Sequence, residues 1–264
     1  VSINYFQEKV VLITGSARGI GFATGKLLGS RGAKIVLSDV LEDRLFAAEK
    51  ELRAEGVEVF SKVADVTEYS DCESLVAAAV EKFGKIDALI NNAGISIVSN
   101  IEDCRPETCK KLIDVNILGS VYMTIAGLDE IKKTHGHIVF LSSVSGVRAI
   151  PTGSLYSASK AFLRSFAESI RLELKPYAVH VGAIIPGFTT TDPTKTVMKG
   201  DGSARPINRP AHDTPEGVAK GIAKMIENRE RERILTPLGK ATAILQRISP
   251  TLLDYILQGR ELKN

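Results

Sequence analysis

The sequence predicts an α/β fold, a doubly wound parallel sheet with helices on both faces, in one domain spanning residues 1–264. Three observations carry this. The apolar runs are short and continuous rather than alternating, as in strands buried on both faces. Segments of helical period separate them, the signature of βαβ units, whose right-handed crossovers wind helices onto both sides of a sheet. The chain of 264 residues shows no repeat, no low-complexity segment and no linker, which suits one large α/β domain.

The elements follow in order. KVVLITG (Lys9–Gly15) is an apolar run ending in glycine, and a helical pattern continues through Ile20, Ala23, Leu27 and Leu28. AKIVLSD (Ala33–Asp39) is the next strand, followed by a charged helix with Leu41, Leu45, Ala48 and Leu52 at helical spacing. VEVFSKVAD and KIDALINNAG are further strands, separated by a helix through Leu75, Val76 and Ala79. A long helix is predicted from Pro106 to Thr134, then the strand HIVFLSS, a helix from Ser154 to Lys175, and the strand VHVGAIIPG. From Thr189 to His212 the chain turns polar and is read as a loop; one this long is usually functional or mobile. TPEGVAKGIAKMIENR is a capped helix with Thr214 at the N-cap and Pro215 at its first position. RILTP is the last strand. The tail, 238–264, carries Ala241, Ile244, Leu245, Ile248, Leu252, Leu253, Ile256 and Leu257 on a helical stripe interrupted near Pro250. Three uses are open for this stripe: domain core, a cover for a substrate entrance or dimer interface, or membrane contact favoured by Lys240, Arg247, Arg260 and Lys263.

Composition narrows the function. With 44% hydrophobic and 25% charged residues and a net charge of +3, the chain is ordinary for a globular protein and is not an electrostatic nucleic-acid binder. Cys72, Cys104 and Cys109 are an odd set without metal-ligand spacing, read as reduced thiols of a cytoplasmic protein. His135 and His137 are read as loop residues, and no metal site is predicted, since zinc needs three or four ligands. No run approaches membrane-span length and no signal peptide is visible, although the chain begins at Val1 and a segment ahead of it is left open.

TGSARGIG (Thr14–Gly21) lies between the first strand and the first helix. Gly15, Gly19 and Gly21, with Ser16, Arg18 and Ile20 between them, permit a sharp turn and close backbone approach. The helix N-terminus that follows offers unpaired N–H groups and a positive dipole end to a pyrophosphate. Asp39 ends the second strand, 18 residues beyond Gly21, where a carboxylate accepts from the adenosine ribose hydroxyls and repels a 2′-phosphate. Arg18 pulls the other way, because a guanidinium can hold that phosphate. NAD is therefore the favoured cofactor and NADP the alternative. Asp65 and Val66, in ADVT, can meet the adenine, though Asp65 reads nearly as well as a turn aspartate. In NNAG, Asn92 can bridge backbone groups, and Ala93 and Gly94 let the chain pass the cofactor closely.

The reacting end is read from HIVFLSS and YSASK together. Ser143 ends an apolar strand, and open α/β sheets bind ligands at the carboxyl ends of their strands. Tyr156 follows 13 residues later, with Lys160 one helical turn beyond it on the same face. A ketone accepting hydride needs a proton, and an alcohol donating hydride must lose one. Tyrosine, with a free pKa of about 10, is a poor base alone, but a neighbouring ammonium favours its phenolate. Ser143 would fix the substrate oxygen, and Lys160 could also hold the nicotinamide ribose.

TGSARGIG, NNAG, SSVSG before YSASK, and PGFTTT (Pro186–Thr191) resemble, in order and spacing, the motifs of the short-chain dehydrogenases/reductases over nearly the whole chain. The resemblance implies a single-domain Rossmann-like fold with a seven-stranded parallel sheet and a homodimer or homotetramer, with the 106–134 and 154–175 helices as interface candidates. It implies a catalytic tetrad of Asn116, Ser143, Tyr156 and Lys160, with Asn116 holding a water that links the lysine to solvent. Pro186, Gly187 and Thr191 match the segment that meets the nicotinamide amide and pyrophosphate. The expected activity is hydride transfer between NAD(H) and a small-molecule alcohol or ketone. The rivals are an NADP(H)-dependent reductase of a lipid- or steroid-like ketone and a dinucleotide-binding sensor without turnover. Val144, Val147, Ala149, Ile150 and Leu155 suggest a partly apolar substrate pocket.

Overall fold

The computed structural model describes residues 4–189, 196–207, 211 and 213–258. β1 (Val10–Thr14) leads into α1 (Gly19–Gly29), β2 (Lys34–Asp39) into α2 (Glu42–Ala54), and β3 (Val59–Val63) into α3 (Tyr69–Phe83). β4 (Ala88–Asn91) is followed by α4 (Pro106–Ile113), a π-helical turn (Asp114–Leu118) and α5 (Gly119–Lys133). β5 (His137–Leu141) precedes α6 (Ser154–Glu173), and β6 (His180–Ile185) precedes the short strands β7 (Thr196–Met198) and β8 (Ala204–Pro206). α7 (Pro215–Asn228), β9 (Glu232–Ile234), α8 (Pro237–Ile248) and α9 (Pro250–Gln258) close the described chain.

Seven strands form one sheet in the order β3-β2-β1-β4-β5-β6-β9. Every neighbouring pair in it is parallel. Side chains alternate across a strand, so β1 sends Val11 and Ile13 to one face and Val10 and Leu12 to the other. The first face buries Leu28 of α1, Leu45 and Leu52 of α2, and Val218 and Ile222 of α7. The second buries Leu75 of α3, Met123 and Ile131 of α5, and Leu163 and Ala167 of α6. Each fully buried aliphatic side chain of this kind contributes roughly 1.5–3 kcal/mol. The chain runs outward from β1 to β3, then returns and builds from β4 to β9. That reversal opens a crevice at the carboxyl ends of β1 and β4, where such sheets bind ligands.

Thr214 caps α7 by accepting from Gly217 N at 3.0 Å, with Pro215 at the first position. The long helix read from Pro106 to Thr134 is present but not uniform, because its turn widens at Asp114–Leu118. This helix also corrects the expectation on membrane-span length. Over Pro106–Lys133, 28 residues with a mean hydropathy of 1.3 in its most apolar window, it is long and apolar enough to cross a membrane. Here its Met123, Thr124, Gly127 and Ile131 are buried, and Asn91 Nδ2 of β4 donates to Thr124 Oγ1 at 3.3 Å.

Three further readings change. His137 is not a loop residue: it opens β5, is buried, and accepts from Tyr5 Oη through Nε2 at 2.8 Å. Its Nδ1 lies 3.0 Å from His180 Nδ1, and His180 Nε2 lies 2.8 Å from the Glu230 carbonyl. Since a carbonyl only accepts, His180 Nε2 carries its proton, His137 Nδ1 donates onward, and Tyr5 donates into the chain. The stretch read as a loop from Thr189 holds the antiparallel pair β7–β8. Val98 N donates to the Met198 carbonyl at 2.9 Å and Met198 N to the Ser96 carbonyl at 3.0 Å, which fastens that pair to the segment after β4. In the tail, Leu253 is buried, but Ile244, Ile248, Leu252 and Ile256 are exposed, so most of the stripe is not core.

Candidate active site

The glycine turn is built by polar bonds between strand ends. Asn92 Nδ2 donates to the Thr14 carbonyl at 2.8 Å and the Gly15 carbonyl at 2.7 Å. Asn92 N and Ala93 N both donate to Thr14 Oγ1 at 3.1 Å. Ser16 is fully buried, donates from Oγ to the Ile13 carbonyl at 2.8 Å, and accepts from Ser38 N at 2.9 Å. β1, β2 and β4 are thus tied together where the turn begins.

The glycines have separate reasons. Gly15 is left-handed (φ +63°), and a Cβ there would stand 2.7 Å from the Ala93 Cα. A Cβ on Gly21 would stand 2.6 Å from both Asn92 Nδ2 and the Gly15 carbonyl oxygen. Gly19 is left-handed too (φ +61°), but its Cβ would meet nothing within 4 Å. The turn is therefore packed tightly behind and open in front. Arg18, at the N-cap of α1, is extended, and no side chain caps the helix. Open space ahead of uncapped amide groups at a positive helix end is what a dinucleotide pyrophosphate requires. The residues present fit that group.

Asp39 ends β2 beside this turn, accepting from Ala17 N through Oδ2 at 3.1 Å and from Leu41 N through Oδ1 at 3.2 Å. The carboxylate is half-buried. Asp65 lies past the end of β3, and its Oδ1 accepts from Thr67 N at 2.9 Å and Thr67 Oγ1 at 2.8 Å. It serves as a turn aspartate here. Val66 is buried, and a Cβ on Gly119 would stand 2.6 Å from its Cγ2.

The second half of the site surrounds Gly94. A Cβ there would lie 3.3 Å from both Asn116 Oδ1 and Lys160 Nζ, so the asparagine and the lysine meet at the same point of backbone. Asn116 is fully buried in the π-helical turn, a distortion common at functional sites. Its Oδ1 accepts from Ile95 N at 2.8 Å, and its Nδ2 donates to the Ile95 carbonyl and to Ser159 Oγ, each at 3.0 Å. Ser159 Oγ donates to the Tyr156 carbonyl at 2.7 Å. Lys160 is buried and donates from Nζ to the Leu141 carbonyl at 2.9 Å. That Nζ lies 5.8 Å from the centre of the half-buried Tyr156 ring.

Ser143 is buried at the start of a short 3₁₀ turn and accepts from Ser145 N at 3.2 Å. Val144 N donates to the carbonyl of the buried Pro186 at 3.0 Å. Gly187 packs on Thr236, whose Cγ2 a Cβ would meet at 2.8 Å. Thr191 lies outside the described residues.

Three positioning residues escaped the sequence reading. Ser142 Oγ donates to the Lys160 carbonyl at 2.7 Å and pins α6 to the end of β5. Thr14 and Ser159 do the same for the Asn92 turn and for Tyr156. Their signal was present, since all three lie inside quoted motifs, but a hydroxyl's partner is not written in local spacing.

The arrangement defines a class: a nicotinamide-dinucleotide oxidoreductase on a doubly wound sheet. The short chain dehydrogenase family matches residues 9–202, and the chain belongs to that family. It is 34% identical, over 98% of its length and 84% of the relative's, to dehydrogenase/reductase SDR family member 7B of Xenopus laevis. It superposes with a TM-score of 0.82 at 26% identity on a short chain dehydrogenase/reductase of Burkholderia phymatum solved with NAD, covering 94% of this chain and 96% of that one. The alcohol dehydrogenase of the archaeon Thermococcus sibiricus, solved with 5-hydroxy-NADP, gives 0.75 at 28% identity, covering 86% and 95%.

Proposed function

We propose that this oxidoreductase moves hydride between NAD(H) and the carbinol or carbonyl carbon of a partly apolar alcohol or ketone, with Tyr156 as the general acid and base. When bound, the dinucleotide supplies the hydride donor or acceptor. Gly15, Ser16, Arg18, Gly19, Ile20, Gly21, Asp39, Asp65, Val66, Asn92, Ala93, Gly94, Pro186, Gly187 and Thr191 are the residues assigned to hold it, together with Tyr156 and Lys160. Ser143 fixes the substrate oxygen. Tyr156 gives that oxygen a proton in reduction and takes one in oxidation. The Lys160 ammonium stabilises the phenolate that results. Asn116 orders the lysine's surroundings and links it to solvent.

The observation that carries the reading is the meeting of Lys160 and Asn116 at Gly94, with the Tyr156 ring above the same ammonium. Such positioned proton transfer is worth roughly 10²–10⁴-fold in rate. Tyr156→Phe should lose turnover by that order while still binding cofactor in a fluorescence titration. Undiminished turnover in the variant would refute the assignment.

Asp39 supports NAD, because a carboxylate at the end of the second strand accepts from the adenosine ribose hydroxyls and repels a 2′-phosphate. Arg18, next to the same turn, supports NADP(H) as the second reading. A cavity of about 290 Å³ lined by Ala149, Ile150, Pro151 and Leu257 supports a partly apolar substrate. The three free thiols support a reducing, cytoplasmic setting. We read the chain as one domain that assembles as a homodimer or homotetramer. Ile125 on α5 and Phe162 and Leu172 on α6 are exposed apolar residues suited to such contacts.

A further inference from the structure

The C-terminal helices expose a set of large apolar side chains. Leu238, Ile244 and Ile248 of α8 are 61%, 61% and 75% exposed, and Leu252, Tyr255 and Ile256 of α9 are 47%, 76% and 43% exposed. Ile244 and Ile248 lie one turn apart on α8, and Leu252 with Tyr255 and Ile256 one turn apart on α9, so each helix carries its own exposed apolar face. The inward side is satisfied: Leu253 is buried, Arg148 pairs with Asp254, and Arg148 Nη1 donates to Gln246 Oε1 at 3.2 Å. The stripe therefore faces outward because its helices are already anchored by their other side. Exposed apolar side chains grouped on neighbouring helices in this way mark an interaction site.

Charge selects the occupant. Lys240 and Arg247 are exposed beside the stripe. The acid of α8 and α9, Asp254, is taken by Arg148. A second copy docking through the same face would set these cations against one another. An anionic surface would attract them while the apolar side chains enter its acyl boundary.

We propose that the outward face of α8 and α9 docks on an anionic lipid bilayer. α9 also lines the cavity of about 290 Å³ through Asp254, Leu257 and Gln258, so docking sets that cavity at the lipid boundary. The contact is independent of the hydride-transfer reading and is read without turnover.

The test uses the purified full chain and sedimentation with two kinds of vesicle. One is phosphatidylcholine alone, and the other contains about one-quarter phosphatidylglycerol. The wild type should co-sediment with the second far more than with the first, and added salt should weaken it. Ile244→Ser/Ile248→Ser/Tyr255→Ser alters exposed positions only and should lower the partition coefficient at least about tenfold. Lys240→Glu/Arg247→Glu should abolish the preference for phosphatidylglycerol. Light-scattering mass measurement on the same proteins gives the contrary outcome. If the wild type ignores both vesicles, or if it is an oligomer that the serine variant dissociates while vesicle binding is absent, the proposal is overturned. Cofactor titration of both variants should remain at the wild-type value, which separates this surface from the dinucleotide site.

Discussion

The buried histidine pair makes stability depend on pH in a window where few other groups titrate. Burial, then the neighbouring His180, pushes the His137 imidazole down to about 3. Burial likewise pushes His180 down to about 4, opposed by its bond to the Glu230 carbonyl. Both rings are therefore neutral in the folded chain at pH 5, while in the unfolded chain they take up protons below about pH 6.5. A group with a depressed folded-state pKa of this type binds protons preferentially when unfolded. Its stability contribution is complete above the unfolded value and falls with pH below it. From pH 7.5 to 5.0 the loss is about 2 kcal/mol for each ring, or about 4 kcal/mol for the pair. Urea unfolding at pH 7.5 and pH 5.0 measures it. His137→Gln/His180→Gln removes the titrating groups, whatever it costs at pH 7.5. The wild type should lose about 4 kcal/mol more than the variant between the two pH values. Equal losses in the two proteins would show that the rings are hydrated or charged in the fold, and the hydrogen-bond order assigned from Tyr5 to Glu230 would be wrong.

Three further outcomes follow from the site. Gly21→Ala puts a Cβ 2.6 Å from the Gly15 carbonyl oxygen and Asn92 Nδ2, so the turn must open; NADH affinity by fluorescence titration should fall at least about tenfold. Asn116→Ala leaves both the N–H and the carbonyl of Ile95 without their side-chain partner, and chemical denaturation should show a loss of about 2–3 kcal/mol. Asp39→Ala removes the carboxylate at the end of β2 and should raise the ratio of NADPH to NADH affinity about tenfold or more; an unchanged ratio would shift the preference to Arg18.

The parts of the fold that were legible are those set by local pattern. Continuous apolar runs gave the central strands, and Thr214 with Pro215 gave the start of α7, because a cap is bonded within its own turn. The glycine turn was legible for the same reason. What stayed hidden depends on partners far along the chain. HGH at 135–137 looks like a loop, and only Tyr5 and His180 make His137 a strand residue with a buried, neutral ring. β7 is fixed by Ser96 and Val98, which no window around residue 197 contains. The tail illustrates a different limit. A helical apolar period establishes that one side is apolar, but not whether anything covers it. Leu253 marks the side of α9 that turns inward, and Arg148, from the loop before α6, pairs with Asp254 beside it.

The same division between local and distant partners explains how the site holds its geometry. Tyr156 is only half-buried, which suits the substrate contact proposed for it, so it is not fixed by packing alone. Its position is set through buried neighbours that bond to backbone. Ser142 holds the Lys160 carbonyl, Lys160 holds the Leu141 carbonyl, and Ser159 joins Tyr156 to Asn116. Asn116 in turn grips both polar groups of Ile95, which the widened π turn brings within reach. Backbone partners cannot be altered by substitution, so this frame tolerates change in the surrounding loops. Those loops, 147–155 and the β7–β8 segment, touch each other through Ser99, whose N–H donates to the Thr152 carbonyl at 2.8 Å. Under the proposed function, this frame holds the reacting groups, and the loops and α9 around the cavity are where substrate selection is placed.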